Sequence, residues 1–151
     1  MSQSFESAFQ LSNPQGLYDP SANGYSHVAE LHPRARLIFL AGQGGEDREG
    51  RLSANFSEQA RQALANVRTG LQSRGADLDQ VLKLTLLIVD HSKDKLHRWV
   101  EELDRVWGAA MKPVCTLIPV PRLALDGMLI EIEAVAALAP EPGRQGKSDV
   151  C

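Results

Sequence analysis

The chain has 151 residues, the size of one domain, with 43% apolar and 5% aromatic residues, so its core must be built from Leu, Val, Ile and Ala rather than from rings. A net charge of −3 argues against general nucleic-acid binding, which needs Lys and Arg to neutralise phosphates. No apolar run approaches the roughly 20 residues that cross a membrane, and the amino end lacks the basic patch and apolar stretch of a signal sequence. The two cysteines, Cys115 in an apolar run and Cys151 at the end, fit a reducing, cytoplasmic setting better than a disulfide framework.

Residues 1–24 are rich in Ser, Asn, Pro and Gly and read as an extended arm. Alternation begins in 25–31, and 35–41 is a strand; His32-Pro33-Arg34 between them predicts a hairpin turn. Residues 42–50 carry Gly42, Gly44, Gly45 and Gly50 and predict a loop, with a short strand at Arg51-Leu52. A first helix starts at an Asn55 cap with Glu58 three residues on, the spacing of a capping box. Phe56, Ala60, Ala63, Leu64, Val67 and Leu71 then recur at helical spacing, and Gly75 ends the run.

Residues 81–89 predict a strand, with Leu82, Leu84 and Leu86 on one side and Lys83 and Thr85 on the other. A second amphipathic helix buries Leu96, Trp99, Val100, Leu103, Val106 and Trp107 and stops at Gly108. Residues 113–120 predict a strand whose prolines, Pro119 and then Pro121, imply an edge, a bulge or the end of pairing. The last strand is 130–138. From Pro140 the composition turns polar and predicts a disordered tail. The organisation is an arm (1–24), one domain (25–139) and a tail (140–151).

Two helices of this length cover one face of a single mixed sheet, which gives an α+β two-layer sandwich. The other sheet face also carries apolar side chains, and no third helix is left to cover it. Another subunit is the natural cover, and a barrel shared by several subunits is one geometry that supplies it.

Several segments in this order resemble the RidA (YjgF) family, formerly called the L-PSP endoribonuclease family. They are Gly24-Tyr25-Ser26-His27-Val28, against the family's Pro-Tyr-Ser-Gln-Ala; Ala41-Gly42-Gln43; the helix segment 59–66; Lys83-Leu84-Thr85; and 127–135, which ends in Glu131-Ile132-Glu133-Ala134-Val135. The resemblance implies a fold similar to trimeric chorismate mutase and a homotrimer with ligand clefts between subunits. It also implies hydrolysis of reactive imines or enamines to 2-keto acids and ammonia, with no metal or organic cofactor. In the family an arginine of a Pro-Ala-Arg-Ser motif grips the substrate carboxylate through its fork of donors. Here the stretch reads Pro113-Val114-Cys115-Thr116, so the arginine falls at Cys115. A loop one residue longer before Glu131 lets the register slip to Val114 or Thr116. Arg122 is the nearest arginine that can replace it. The family's helix asparagine is also missing.

The candidate site follows. Glu131 matches the family's acidic cleft residue and can act as general acid–base if partly shielded beside a bound water; alternatively Glu131 and Glu133 are the wet face of a strand. Cys115 is either a nucleophile, which needs a lowered pKa and a base from His27, His32, His91 or His97, or a small core residue. His27 is the best placed of these, so a Cys115–His27–Glu131 set is one arrangement. Tyr25 and Ser26 either flank a ligand or begin a strand. Gly42-Gln43-Gly44-Gly45 can present backbone donors to an anion, without the lysine of a P-loop. Trp99 and Trp107 read as core, and the four histidines lack metal-site spacing.

Three functions compete: a small-metabolite hydrolase or deaminase-like enzyme with inter-subunit clefts, a non-catalytic metabolite-binding or regulatory trimer, and an endoribonuclease, which the charge disfavours. Without the arginine, Glu131 lacks its charge partner, so a neutral or amine-bearing ligand fits either of the first two. Neither a nucleic acid nor a membrane is expected as partner.

Overall fold

The computed structural model describes residues 7–141, so the first six residues of the arm and the tail beyond 141 lie outside them. The chain forms β1 (Phe9–Ser12), β2 (Val28–Leu31), β3 (Arg36–Gly44), α1 (Phe56–Gln72), β4 (Val81–Val89), α2 (Lys93–Trp107), β5 (Val114–Val120) and β6 (Ile130–Leu138). Strands β3, β6, β4 and β5 make one sheet in that order. Strand β5 runs parallel to β4, and the other pairs are antiparallel. The architecture is the expected α+β arrangement of two helices and a mixed sheet, open within one chain rather than closed into a barrel.

Helix α1 starts where Asn55 Oδ1 accepts the Glu58 N–H at 3.1 Å. The Glu58 carboxylate does not reach back to Asn55 as in a full capping box. It accepts the Ser53 hydroxyl, and Ser53 Oγ takes the Asn55 N–H at 3.0 Å. Ala60, Ala63, Leu64, Val67 and Leu71 are buried against Ile38 of β3, Val81, Leu84, Leu86 and Ile88 of β4, and Ile130, Ile132, Ala134 and Ala136 of β6. Trp99 and Leu103 bring α2 into the same core.

The second helix departs from its predicted stripe. Val106 is exposed, while Glu102 is buried. The Glu102 carboxylate accepts both Arg61 Nε at 3.0 Å and Arg61 Nη2 at 2.8 Å. That fork-to-fork pair lets a charge sit between the helices.

The strands depart from the expected pattern at further places. Strand β2 pairs with β1, not with β3 across the turn at 32–34; the turn itself forms, Ala35 N–H donating to the His32 carbonyl at 3.3 Å. Residues 9–12, within the segment read as an arm, are therefore a paired strand. Gly42 to Gly44 continue β3 instead of looping. No strand forms at Arg51-Leu52, because Asp47 Oδ1 accepts the N–H groups of both Glu49 and Arg51 at 2.9 Å and ties a turn. In β4 the register slips between Val81 and Lys83. This bulge turns Val81 to the helix side and sends Leu82 to a second cluster with Ala8 and Ala137.

The face away from the helices stays largely uncovered. Phe39 is 73% exposed there, and Leu37 and Ile118 are exposed as well. No helix among the described residues is long and apolar enough to cross a membrane.

Candidate functional site

Glu131 lies between the buried residues Ile130 and Ile132 of β6. Alternation therefore points it away from the helices, onto the open face. Across that face it pairs with Gly44 on one side and Leu87 on the other, and Leu87 pairs with Ile118. The adjacent row holds Glu133, Thr85 and Thr116. Glu131 is half-buried and Glu133 exposed. No cation pairs with Glu131 among the described residues. Along β4, the cation on this face is Lys83, four residues from Leu87 and so about 13 Å away at the rise of a strand.

Beneath Glu131, β3 has a bulge between Leu40 and Gln43. The carboxylate arm lies against Gly42: a methyl group there would stand 2.6 Å from Glu131 Cδ and 2.8 Å from Cγ. Gly42 is thus the floor on which the side chain rests. The Glu46 carboxylate lies over Gly44 in the same way, with Oε1 2.8 Å from where a methyl would be. This corrects the expectation of an anion cradle at 42–45. Two carboxylates line that segment, and Gln43 turns its Nε2 back to the Ala41 carbonyl at 3.0 Å.

Two polar residues of α1, seven apart and so on one helix face, hold both strands around Glu131. Gln59 is fully buried. Its Nε2 donates to the carbonyls of Ser53 at 2.7 Å and Gly127 at 2.8 Å, and its Oε1 accepts the Leu129 N–H at 2.8 Å. Asn66 Nδ2 donates to the carbonyls of Gly44 at 2.9 Å and Glu46 at 2.8 Å. A methyl on Gly45 would fall 2.6 Å from Gln59 Cα, so the strand end and the helix backbone touch. Sequence reasoning did not single out Gln59, Asn66 or Glu46 for these roles. The available signal was two amides set into the apolar stripe of α1.

The remaining candidates lie elsewhere. Ser26 is buried; its N–H donates to the Pro113 carbonyl at 3.2 Å and its hydroxyl to the Lys112 carbonyl at 2.6 Å. It fastens the Tyr25 segment to the start of β5 and has no free donor for a ligand. The hydroxyls of Tyr25 and Tyr18 are hydrogen-bonded. That bond, followed by burial, pushes the Tyr25 phenol up to about 12. His27 sets its ring edge-on to both tyrosines, with centroids 5.3 and 5.4 Å away, and its Nε2 lies 2.9 Å from the Tyr18 carbonyl. Arg122 is exposed and pairs with Asp126 at 3.3 Å.

Cys115 pairs with Leu84 and packs against the helix-side core. Glu131 faces the opposite way, so the Cys115–His27–Glu131 set is not assembled. Burial pushes the Cys115 thiol up to about 12, leaving it protonated and un-nucleophilic at neutral pH. On β5 the residues that share the face of Glu131 include Ile118 and Thr116, not Cys115. A prediction follows from linkage. The unfolded thiol titrates near 9.0 and the folded one near 12. Above pH 9 the unfolded state therefore binds fewer protons, and stability falls as pH rises toward 12. Urea midpoints of wild type and Cys115→Ala across pH 8–11 should show a steeper alkaline decline in wild type. Parallel declines would contradict the burial of the thiol.

Against known proteins, the chain matches the family described as endoribonuclease L-PSP over residues 18–138. It is 35% identical over 107 residues to the human 2-iminobutanoate/2-iminopropanoate deaminase, covering 70% of this chain and 75% of that one. It is 32% identical over 113 residues to a RutC family protein of Aquifex aeolicus, covering 74% of this chain and 86% of that one. Its structure resembles that of a Rid-family protein of unknown function from Yersinia pestis with a TM-score of 0.81 at 31% identity, covering 87% of this chain and 99% of that one. The family match over residues 18–138, the relatives above 30% identity and the likeness to the Rid-family structure agree, and the chain belongs to the endoribonuclease L-PSP family, also known as RidA.

Proposed function

We propose that this protein is a small-metabolite hydrolase of the deaminase type, working in clefts between copies of the chain, with Glu131 as acid–base group and a neutral or amine-bearing substrate. One observation carries the reading: a half-buried carboxylate rests on a glycine floor, on an uncovered apolar sheet face, with no cation paired to it among the described residues. The relatives named as deaminases supply the reaction class. A face bearing Glu131 and Glu133 repels phosphates, which disfavours RNA as substrate. The exposed Phe39, Leu37 and Ile118 support assembly, a homotrimer being the form in which three such faces close on one another.

The chemistry balances without further reactants. Glu131 accepts a proton from water as its oxygen attacks the carbon of a C=N bond. Glu131 passes that proton to the nitrogen, then takes the proton of the new hydroxyl group and delivers it to the same nitrogen as the C–N bond breaks, so a carbonyl compound and ammonia leave and Glu131 is again a carboxylate. The test is ammonia release from freshly generated 2-aminoacrylate and uncharged enamines with the purified protein. Acceleration over the spontaneous rate is the expected result; a rate equal to the spontaneous one for every substrate would replace the enzyme by a binding module.

A further inference from the structure

At the far end of the sheet from Glu131, a cavity of about 1250 Å³ opens where β3 begins, β6 ends and α1 stops. Arg36 pairs with Leu138 there, which at the rise of a strand stands about 23 Å along β6 from Glu131. Arg34, Arg36 and Arg74 all line this cavity. Arg51, Arg61, Arg68, Arg98, Arg105 and Arg122 each pair with a carboxylate. Among the described residues, the arginines without such a partner are Arg34, Arg36, Arg48 and Arg74, so all but Arg48 gather at one place. Asp79 and Glu141 share the wall without pairing to them, which leaves positive charge in excess. The other polar groups of the wall are engaged. Ser7 donates to the Phe9 carbonyl at 2.6 Å; Gln80 Oε1 accepts the Asp77 N–H at 2.7 Å, and its Nε2 donates to Asp79 at 3.4 Å. The last carbonyls of α1 would repel an anion, but they are covered: Leu71 by the N–H groups of Arg74 and Ala76, Gln72 by that of Gly75, and Arg74 by Arg36 Nη2 at 3.3 Å. The backbone adds an independent mark. His32-Pro33-Arg34-Ala35 is a turn closed by the Ala35 N–H on the His32 carbonyl, with Arg34 at a left-handed φ of 65°. Glycine is favoured at that corner, so the chain keeps an arginine at the cavity against a backbone preference.

We propose that this cavity binds a small molecule carrying a phosphate monoester group. Arginine forks match phosphate oxygens with paired N–H donors, and guanidinium groups without carboxylate partners repel one another until an anion sits among them. Phe9, Leu138 and Pro140 supply apolar wall for the organic body, and the carboxylates of Asp79 and Glu141 accept from its hydroxyl or amino groups. The same two carboxylates oppose a polyanion, so the site takes one phosphate group rather than a nucleic-acid backbone.

The test is calorimetric titration of the full-length protein at low salt with phenyl phosphate, inorganic phosphate and phenol. We expect phenyl phosphate to bind, inorganic phosphate to bind about 10-fold more weakly for want of the apolar body, and phenol not to saturate. Arg36→Gln and Arg74→Gln should each weaken phenyl phosphate binding about 10-fold, one charge-assisted hydrogen bond's worth. Arg34→Gly should weaken it by a similar factor yet raise the urea midpoint, because glycine relaxes the turn; an arginine with only a structural role would not separate the two. Arg48→Gln removes an exposed, unpaired charge outside the cavity and should bind within about 2-fold of wild type. No binding of phenyl phosphate, inorganic phosphate binding as tightly, unchanged binding in the three cavity variants, or an equal loss in Arg48→Gln would overturn the proposal. Glu131→Gln should leave the titrations unchanged, so failure here is distinct from failure of the hydrolase reading.

Discussion

Glu131→Gln should lower the rate of ammonia release by about 10²–10⁴-fold, the usual contribution of a positioned acid–base group. The change keeps the shape of the side chain, so it still lies across Gly42, and it breaks no ion pair among the described residues. Stability should therefore move by no more than about 0.5 kcal/mol, and the mass in solution should be that of wild type. Turnover within 2-fold of wild type would remove Glu131 from the mechanism. A matching loss of assembly would make it a structural residue instead.

Gln59→Leu should be among the most destabilising single changes, costing about 3–5 kcal/mol. Leucine fills similar space, so the cost is not a cavity. It is three broken hydrogen bonds, which leave the Ser53 and Gly127 carbonyls and the Leu129 N–H without the amide that serves them; each buried orphan costs about 1–3 kcal/mol. Because residues 127–129 lead directly into Glu131, the variant should also lose turnover under conditions where it is still folded. Urea unfolding gives the first quantity and the ammonia assay the second. A loss below about 1 kcal/mol would mean that water replaces the amide, and that α1 does not fix the start of β6.

The layers of this fold are legible in the sequence because periodicity and burial agree there. The stripe of α1 and the alternation of β6 lead directly to the two faces, and with them to the outward direction of Glu131. Legibility fails where one residue shifts the phase. The bulge at Leu82 reverses a side chain that simple alternation assigns to the helix layer. Cys115 and Thr116 differ by one position, yet one enters the core and the other the open face. Which is which depends on the sheet order β3-β6-β4-β5, and that order rests on pairing between distant segments. Glu102 is buried because Arg61 stands on a different helix, a coincidence that no local pattern carries. Gln59 and Asn66 look like ordinary polar helix residues until their backbone partners, up to 70 residues away, are seen. Strand β1 is hidden in polar composition and is revealed by its partner, β2.

On the proposed reading, the Glu131 face lets this chain keep the family scaffold without an arginine at Cys115, Val114 or Thr116. An arginine fork selects carboxylates, and losing it relaxes that selection rather than the acid–base chemistry. The most direct measurement compares kcat/KM for ammonia release from 2-aminoacrylate and from its methyl ester. The account predicts that the methyl ester is accelerated at least as strongly as the free acid. A preference of 100-fold or more for the free acid would contradict it, and would place a cation such as Arg122 in the cleft beside Glu131.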